Sequence, residues 1–488
     1  MAISEETFYM DQTYEGTLQK QVQTLVAEGI LSGRFRPGER LPSSRKLAKH
    51  LSISRITITL AYAELVADDY VVSRGRSGYF VSDTAPRPRM NAQTQAREDK
   101  VDWSRMIGTR WSTGPKLEKP REWRQFRFPF IYGQADASLF DHRNWRLCAL
   151  QALGQRDFAA MTADYYERDD PKLVEFIARH SLPRRGIIAN PDEILVTLGA
   201  QNALWLAAQI LLTQRRSAVI EDPCYPGLRD ILNQTRCNVL PLDVDDQGLN
   251  PAHVPSDTDV VFVTPSHHCP TSVTMPLDRR RALLDRASKD NFLLVEDDYE
   301  FEMSFLEPPS PALKSLDQEG RVIHIGSFSK SLFPGLRLGY LVGSAPFIKE
   351  ARALRATILR HPPGHVQRTA AYFLSFGHYD ALIKRTADAF KRRRAVMETA
   401  IRNQGLVVAG GGLGGSSFWM KAPDHVDADI LASDLAKQGV LIESGTPFFP
   451  SETPPRNYYR LAYSSIPENR IPEGIGLIAA AIRTYAPG

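Results

Sequence analysis

Leu18, Val22, Leu25, Val26 and Ile30 recur at the spacing of one helical face, so an amphipathic helix opens the patterned part of the chain. Pro37-Gly38 breaks the pattern inside GRFRPGERLPS, and Ser43 is placed to cap a helix over 44–51. After a short turn at 52–54 a second helix begins near Arg55. On it Ile58, Ala61 and Leu65 face a core, while Arg55, Thr59 and Tyr62 share the outward face. YVVSRGRSGYFV then reads as two short strands around a glycine-containing tip, a wing. From 83 to 125 the apolar periodicity gives way to polar, proline-bearing sequence, the composition of a linker. Beyond 126, apolar runs return at 194–197, 218–220, 260–264, 292–295, 322–325 and 338–342, most of them separated by helical patterns such as DRRRALLDRASK. Such alternation predicts an α/β unit with a mainly parallel sheet covered on both faces. Functional groups then belong at the carboxyl ends of its strands.

Composition narrows the class. The 488 residues, 43% hydrophobic and 24% charged, suit a globular chain with two or three cores. No apolar run reaches the ~20 residues of a membrane span, and MAISEETFYM lacks the basic and apolar regions of a signal peptide. Cys148, Cys224, Cys237 and Cys269 are scattered without metal-ligand spacing. A reducing cytoplasm is the expected home. The net charge of +4 is uneven: between Arg34 and Arg76 nine Lys or Arg stand against four Asp or Glu, a field that attracts phosphates.

Two helices joined by a tight turn, with an Arg-led polar face, suit the major groove, where Arg reads guanine and hydroxyls reach phosphates. The string LPSSRKLAKHLSISRITITLAYAELVADDYVVSRGRSGYFV closely resembles the GntR winged-helix family, over about the first 82 residues. By that resemblance Arg45, Arg55, Thr57 and the wing residues Arg76 and Gly78 contact a double-stranded DNA operator, with Thr59 beside them on the outward face.

The third zone carries different chemistry. FLLVEDDYE ends an apolar strand in Asp297 and Tyr299, two residues apart and so on one side of an extended chain. VIHIGSFSKSLFPGLRLGY follows, with Ser327, Ser329, Lys330 and Arg337. A lysine just after an apolar strand, among serines and near a strand-end carboxylate, is unlike an ordinary surface lysine. These strings resemble fold-type I aminotransferases, from about Phe126 onward. The resemblance implies pyridoxal 5′-phosphate (PLP) in an imine with Lys330, its phosphate on Ser327, Ser329 and Arg337, its pyridine nitrogen on Asp297 and its ring oxygen on Tyr299. It also makes Ala200 and Gln201, in VTLGAQNALWL, the start of a phosphate-binding helix. Tyr225 of EDPCYPG stacks on the ring, and Arg460 of YYRLAYS takes the acid group of a substrate or effector.

In this order the two halves resemble the MocR/GabR group of bacterial regulators, across nearly the whole chain. That implies a head-to-tail homodimer in which an amine or amino-acid effector replaces the Lys330 imine and alters DNA binding. GABA, taurine and ectoine-type compounds, or vitamin B6 itself, are the expected effector classes. The alternative is a true aminotransferase with a fused DNA-binding arm. Two departures bear on the choice. Cys269 stands where catalytic relatives carry an Asn, and YYERDDPKLVEF lacks the glycines and arginine usual for its segment, leaving open which of Tyr165 and Tyr166 reaches a neighbouring site. The run GGGLGGSSFWM from Gly410 lacks the Gly-Lys-Ser/Thr ending of a phosphate loop and reads as a turn before a strand.

Overall fold

The computed structural model describes residues 2–11, 13–86, 101–110, 112, 119–164, 166–412 and 414–485. The chain divides into two compact units, Met1–Trp111 and Ser112–Gly488. The expected linker runs across that division, and its positions 87–100, 111 and 113–118 lie outside the described residues.

In the first unit helices Leu18–Leu31, Ser44–Leu51 and Arg55–Ala67 pack around Val22, Val26, Leu47, Ile58, Ala61 and Leu65. Ser43 and Ser54 cap the second and third helices, accepting from the backbone N–H groups of Lys46 and Thr57 at 3.3 and 3.1 Å. Strands Val71–Ser73 and Tyr79–Val81 pair antiparallel as the wing. One residue departs from the spacing argument. Tyr62 is fully buried rather than outward, its hydroxyl donating to the Pro42 carbonyl at 3.0 Å and its ring 4.9 Å from that of Tyr79. At about 100° per residue Tyr62 lies only about 40° round the helix from Ile58, and its apolar ring follows the core.

The second unit is an α/β structure built on an eight-stranded sheet. Strands Ser217–Asp222, Asn238–Asp245, Val260–Val263, Leu293–Asp298 and Val322–Ser327 run parallel to their neighbours in that group. Gly339–Val342 lies antiparallel between Val322–Ser327 and Ile194–Thr197. Each expected apolar run forms a strand here. Both faces are covered: Leu195, Ile220, Phe262, Val295 and Ile325 pack with helix Ala200–Leu211, while Val219, Val261, Val263 and Leu294 meet Leu283 and Ala287 of helix Leu277–Asp290. A separate four-stranded antiparallel sheet joins Val407–Val408, Ser417–Lys421, Tyr458–Ala462 and Glu443–Ser444. The glycine-rich run from Gly410 leads into its strand Ser417–Lys421.

Candidate functional site

Strand alternation sorts the carboxylates of LLVEDD. Glu296 and Asp298 turn to buried partners: Glu296 accepts from His324 Nδ1 at 2.9 Å, and Asp298 accepts from Arg185 Nε at 2.6 Å. Asp297 and Tyr299 fall on the other side and line a cavity of about 300 Å³. Lys330, three residues beyond the strand Val322–Ser327, enters the same cavity. So do Tyr225, Ser327, Ser329, Arg337, Ala200, Gln201 and Arg460. The structure thus brings all ten residues expected at the cofactor and effector site onto one cavity.

One end of the cavity suits an anion. Helix Ala200–Leu211 begins there at Gly199, with no side chain capping its first N–H groups. Gly199 has φ 82°, and a Cβ on it would sit 3.4 Å from Ser329 Oγ and 3.8 Å from Arg337 Cζ. Buried Ser329 Oγ and Asp297 Oδ1 have no hydrogen-bond partner among the described residues. Unpaired buried polar atoms of this kind suit a ligand that completes them. Tyr299 donates to the His267 carbonyl at 2.9 Å.

Burial dominates the titration of the site. It pushes Asp297 up to about 7, helped by the neighbouring Asp298 charge and opposed by Lys330. Burial also brings Lys330 down to about 8, reinforced by the positive charge of Lys119. Beneath the cavity, burial raises Glu221 to about 8 although Thr264 donates to it through both N–H and hydroxyl, at 3.0 and 2.7 Å.

Four residues of the cavity lay outside the motifs: Lys119, Tyr132, Cys269 (noted only as a departure) and Phe448. Lys330 Nζ lies 4.2 Å and Arg460 Cζ 4.1 Å from the centroid of the buried Tyr132 ring. Tyr132 belongs to FPFIYG, which carries no periodic signal beyond its aromatics. The following Gly133 (φ 70°) leaves room for the lysine, since a Cβ there would lie 2.3 Å from Lys330 Nζ. Of the doubtful tyrosines, Tyr166 is 46% exposed and Tyr165 lies outside the described residues. No group of His, Cys, Asp and Glu among the described residues is arranged to hold a metal ion. No helix among them is long and apolar enough to cross a membrane.

In the first unit Arg45 and Arg55 are exposed, and Arg55 Nε donates to Ser44 Oγ at 3.4 Å. Thr57 Oγ1 lies 2.9 Å from Ser54 Oγ, while exposed Thr59 returns its hydroxyl to the Arg55 carbonyl at 2.9 Å. Ile56, 72% exposed, lies on this helix as well. Arg76 lies in the helical turn Gly75–Ser77 at the wing tip, and Gly78 follows with φ 100°. Arg74, not singled out from the sequence, stacks over Phe80 at 4.8 Å.

Two family models match the chain: bacterial regulatory proteins of the gntR family over residues 18–81, and aminotransferase class I and II over 143–476. The chain is 58% identical over 484 residues to the HTH-type transcriptional regulator TauR of Rhodobacter capsulatus, covering 99% of this chain and 100% of that protein. To the probable rhizopine catabolism regulatory protein MocR of Rhizobium meliloti it is 26% identical, over 97% of this chain and 95% of that protein. Among solved structures, Pyrococcus horikoshii kynurenine aminotransferase matches with a TM-score of 0.69 and 26% identity, over 75% of this chain and 93% of that one.

Proposed function

The chain belongs to the MocR-type helix-turn-helix transcription regulators, a GntR-type module followed by an aminotransferase class I and II fold, and from that premise we propose that its cavity holds PLP and senses a small amine bearing an acid group. The observation that carries this reading is the convergence of Lys330, Asp297, Tyr225, Ser327, Ser329, Arg337 and the start of helix Ala200–Leu211 on one cavity. PLP, when bound, supplies an aldehyde carbon to which an amine adds and a ring that withdraws electrons. The chain's own residues do the rest. The N–H groups of Ala200 and Gln201, the two serine hydroxyls and Arg337 hold the phosphate. Asp297 would keep a proton on the pyridine nitrogen, Tyr225 would cover a ring face, and the Tyr299 hydroxyl would hold the ring oxygen. Lys330, its ammonium destabilised by burial to about 8, would be the amine that holds the cofactor.

DNA is read by the helix Arg55–Ala67, with Arg55 on a base and Arg45, Thr57, Thr59 and the wing residues Arg76 and Gly78 beside it. Exposed Ile56 suits the methyl group of a thymine. The working form is a cytoplasmic homodimer. Support comes from Leu147, Leu150 and Leu153, which follow at three-residue spacing through helix His142–Ala152 and its C-cap and are each more than half exposed.

The test has two arms. Borohydride reduction of the yellow protein is expected to leave a pyridoxyl group on Lys330, read by peptide mass spectrometry. Lys330→Ala is expected to keep operator affinity and lose the effector's influence on it, because a ligand shifts an equilibrium only through differential affinity for the two states. A variant that still responds fully overturns the reading. The second reading, an aminotransferase with a DNA-binding arm, draws on the convergence of Lys330, Asp297 and the phosphate-end residues; sustained turnover with an amino donor and a keto acid would favour it.

A further inference from the structure

Arg460, expected to take an acid group alone, sits in a larger charged cluster. Its Nε donates to Glu443 Oε2 at 2.8 Å, and both side chains are only 4% exposed. The pairing is built into the sheet, since Glu443 and Arg460 face each other across adjacent antiparallel strands. Glu443 therefore orients the guanidinium, and among the described residues neither Nη forms a hydrogen bond with the protein. The other Glu443 oxygen, Oε1, lies 3.5 Å from Lys119 Nζ. Lys119 also donates to the Tyr132 carbonyl, and its amine lies 6.0 Å from the centroid of the Tyr132 ring around which Lys330 and Arg460 are gathered.

Charge balance around this cluster is incomplete. One carboxylate, Glu443, serves two cations, Arg460 and Lys119. The nearby Glu300 accepts from the Ser416 and Tyr132 hydroxyls at 2.6 and 3.0 Å, and burial raises its carboxyl, opposed by those bonds and by Lys330. Asp297 is committed to the pyridine nitrogen under the proposed function. Two cations thus share one carboxylate in a wall where an unbalanced charge is expensive. A ligand acid group supplies the missing negative charge.

Resting on the reading of this cavity as the effector site, we infer that Lys119 is an effector-binding residue: with Arg460 it forms a two-cation clamp for the carboxylate or sulfonate of the effector. Arg460 offers its planar fork, and Lys119 a compact charge beside it. Tyr132 spaces this clamp from Lys330, so the effector is a short-chain molecule with an amine at one end and the acid at the other. Lys119 belongs to the segment between the DNA-reading module and the sheet-bearing fold.

The test uses the full chain. Butyrate and ethanesulfonate, which carry the acid but no amine, are titrated by calorimetry into cofactor-free protein. Wild type is expected to bind both, Lys119→Met about tenfold more weakly or worse, and Lys119→Arg near wild type, since a hydrogen bond to a charged group is at stake. In the second arm, PLP-loaded protein is titrated with 4-aminobutyrate, taurine and n-propylamine while the cofactor's absorbance is followed. The preference for either amino acid over n-propylamine is expected to fall by about tenfold in Lys119→Met and to be kept in Lys119→Arg. Lack of anion binding by wild type, equal binding by Lys119→Met, or an unchanged preference overturns the clamp. A chain that binds the anions through Lys119 yet takes up no PLP overturns the cofactor reading instead.

Discussion

Glu221 lies at the end of its strand beneath the cavity, its carboxylate accepting twice from Thr264 and standing 3.5 Å from His268 Nε2. Burial holds that histidine down to about 3, so it is neutral and offers no charge in return. The folded carboxyl titrates at about 8 against an ordinary 4.5. A carboxyl raised in this way favours the fold while protonated, and its contribution is fully present below about pH 4.5 and lost as the pH rises towards 8. Glu221→Gln keeps an acceptor for Thr264 and removes the titration. The melting temperature of the variant is expected to gain on wild type steadily between those values and to hold its lead above them; parallel melting curves would mean that the buried carboxyl ionises freely. At this scale the sequence was eloquent about residues that follow apolar strands within a motif, such as Asp297, Ser327 and Lys330. It was silent about Tyr132, Lys119 and Glu443. Their relevance arises from packing between segments far apart in the chain, and none has a local neighbour that marks its chemistry.

Elements were legible where burial was complete. The strands at Ile194–Thr197, Val260–Val263 and Val322–Ser327 are buried at every position and announce themselves as mainly apolar runs. Asn238–Asp245 was missed because it lies towards one edge of the sheet with alternate residues exposed, and NVLPLDVD carries a proline and acidic residues. Of the small second sheet the strand after the Gly410 run was legible, but Val407–Val408 and Glu443–Ser444 have only two residues each and left no signal. In the DNA-reading unit the Ser43 cap was visible while Ser54 was read only as the end of a turn, and the Tyr62 face was misjudged. The helix Arg55–Ala67 carries its own prediction. Arg55→Ala is expected to relax base preference and to cost roughly 1–3 kcal/mol of operator binding. Replacing exposed Lys46 or Lys49 is expected instead to weaken all sequences alike and to flatten the salt dependence by about 0.9 per phosphate contact. Binding isotherms at several salt concentrations on operator and unrelated DNA distinguish the two, and an unchanged operator affinity for Arg55→Ala would refute the assignment of the reading helix.

The whole molecule joins two units that each bury their own core, Val22, Val26, Ile58 and Leu65 in one and the faces of the large sheet in the other. A ligand that binds only the second unit stabilises only that unit. Scanning calorimetry is therefore expected to show PLP moving the transition of the sheet-bearing unit upward, by about 2.7 kcal/mol of stability at a hundredfold excess over the dissociation constant, while the transition of residues 1–111 stays in place. A common shift of both would mean that the units unfold as one. The cavity draws its walls from Lys119 and Tyr132, from Ala200 to Tyr225, from Cys269 to Arg337, and last from Phe448 and Arg460. That ordering along the polypeptide becomes an ordering in time. At about 5–20 residues per second of synthesis, the winged helix is finished on the order of tens of seconds before Arg460 leaves the ribosome. On the proposed reading, each nascent chain completes its DNA-reading module well before its effector cavity, and a premature stop anywhere in that interval leaves the module without the cavity.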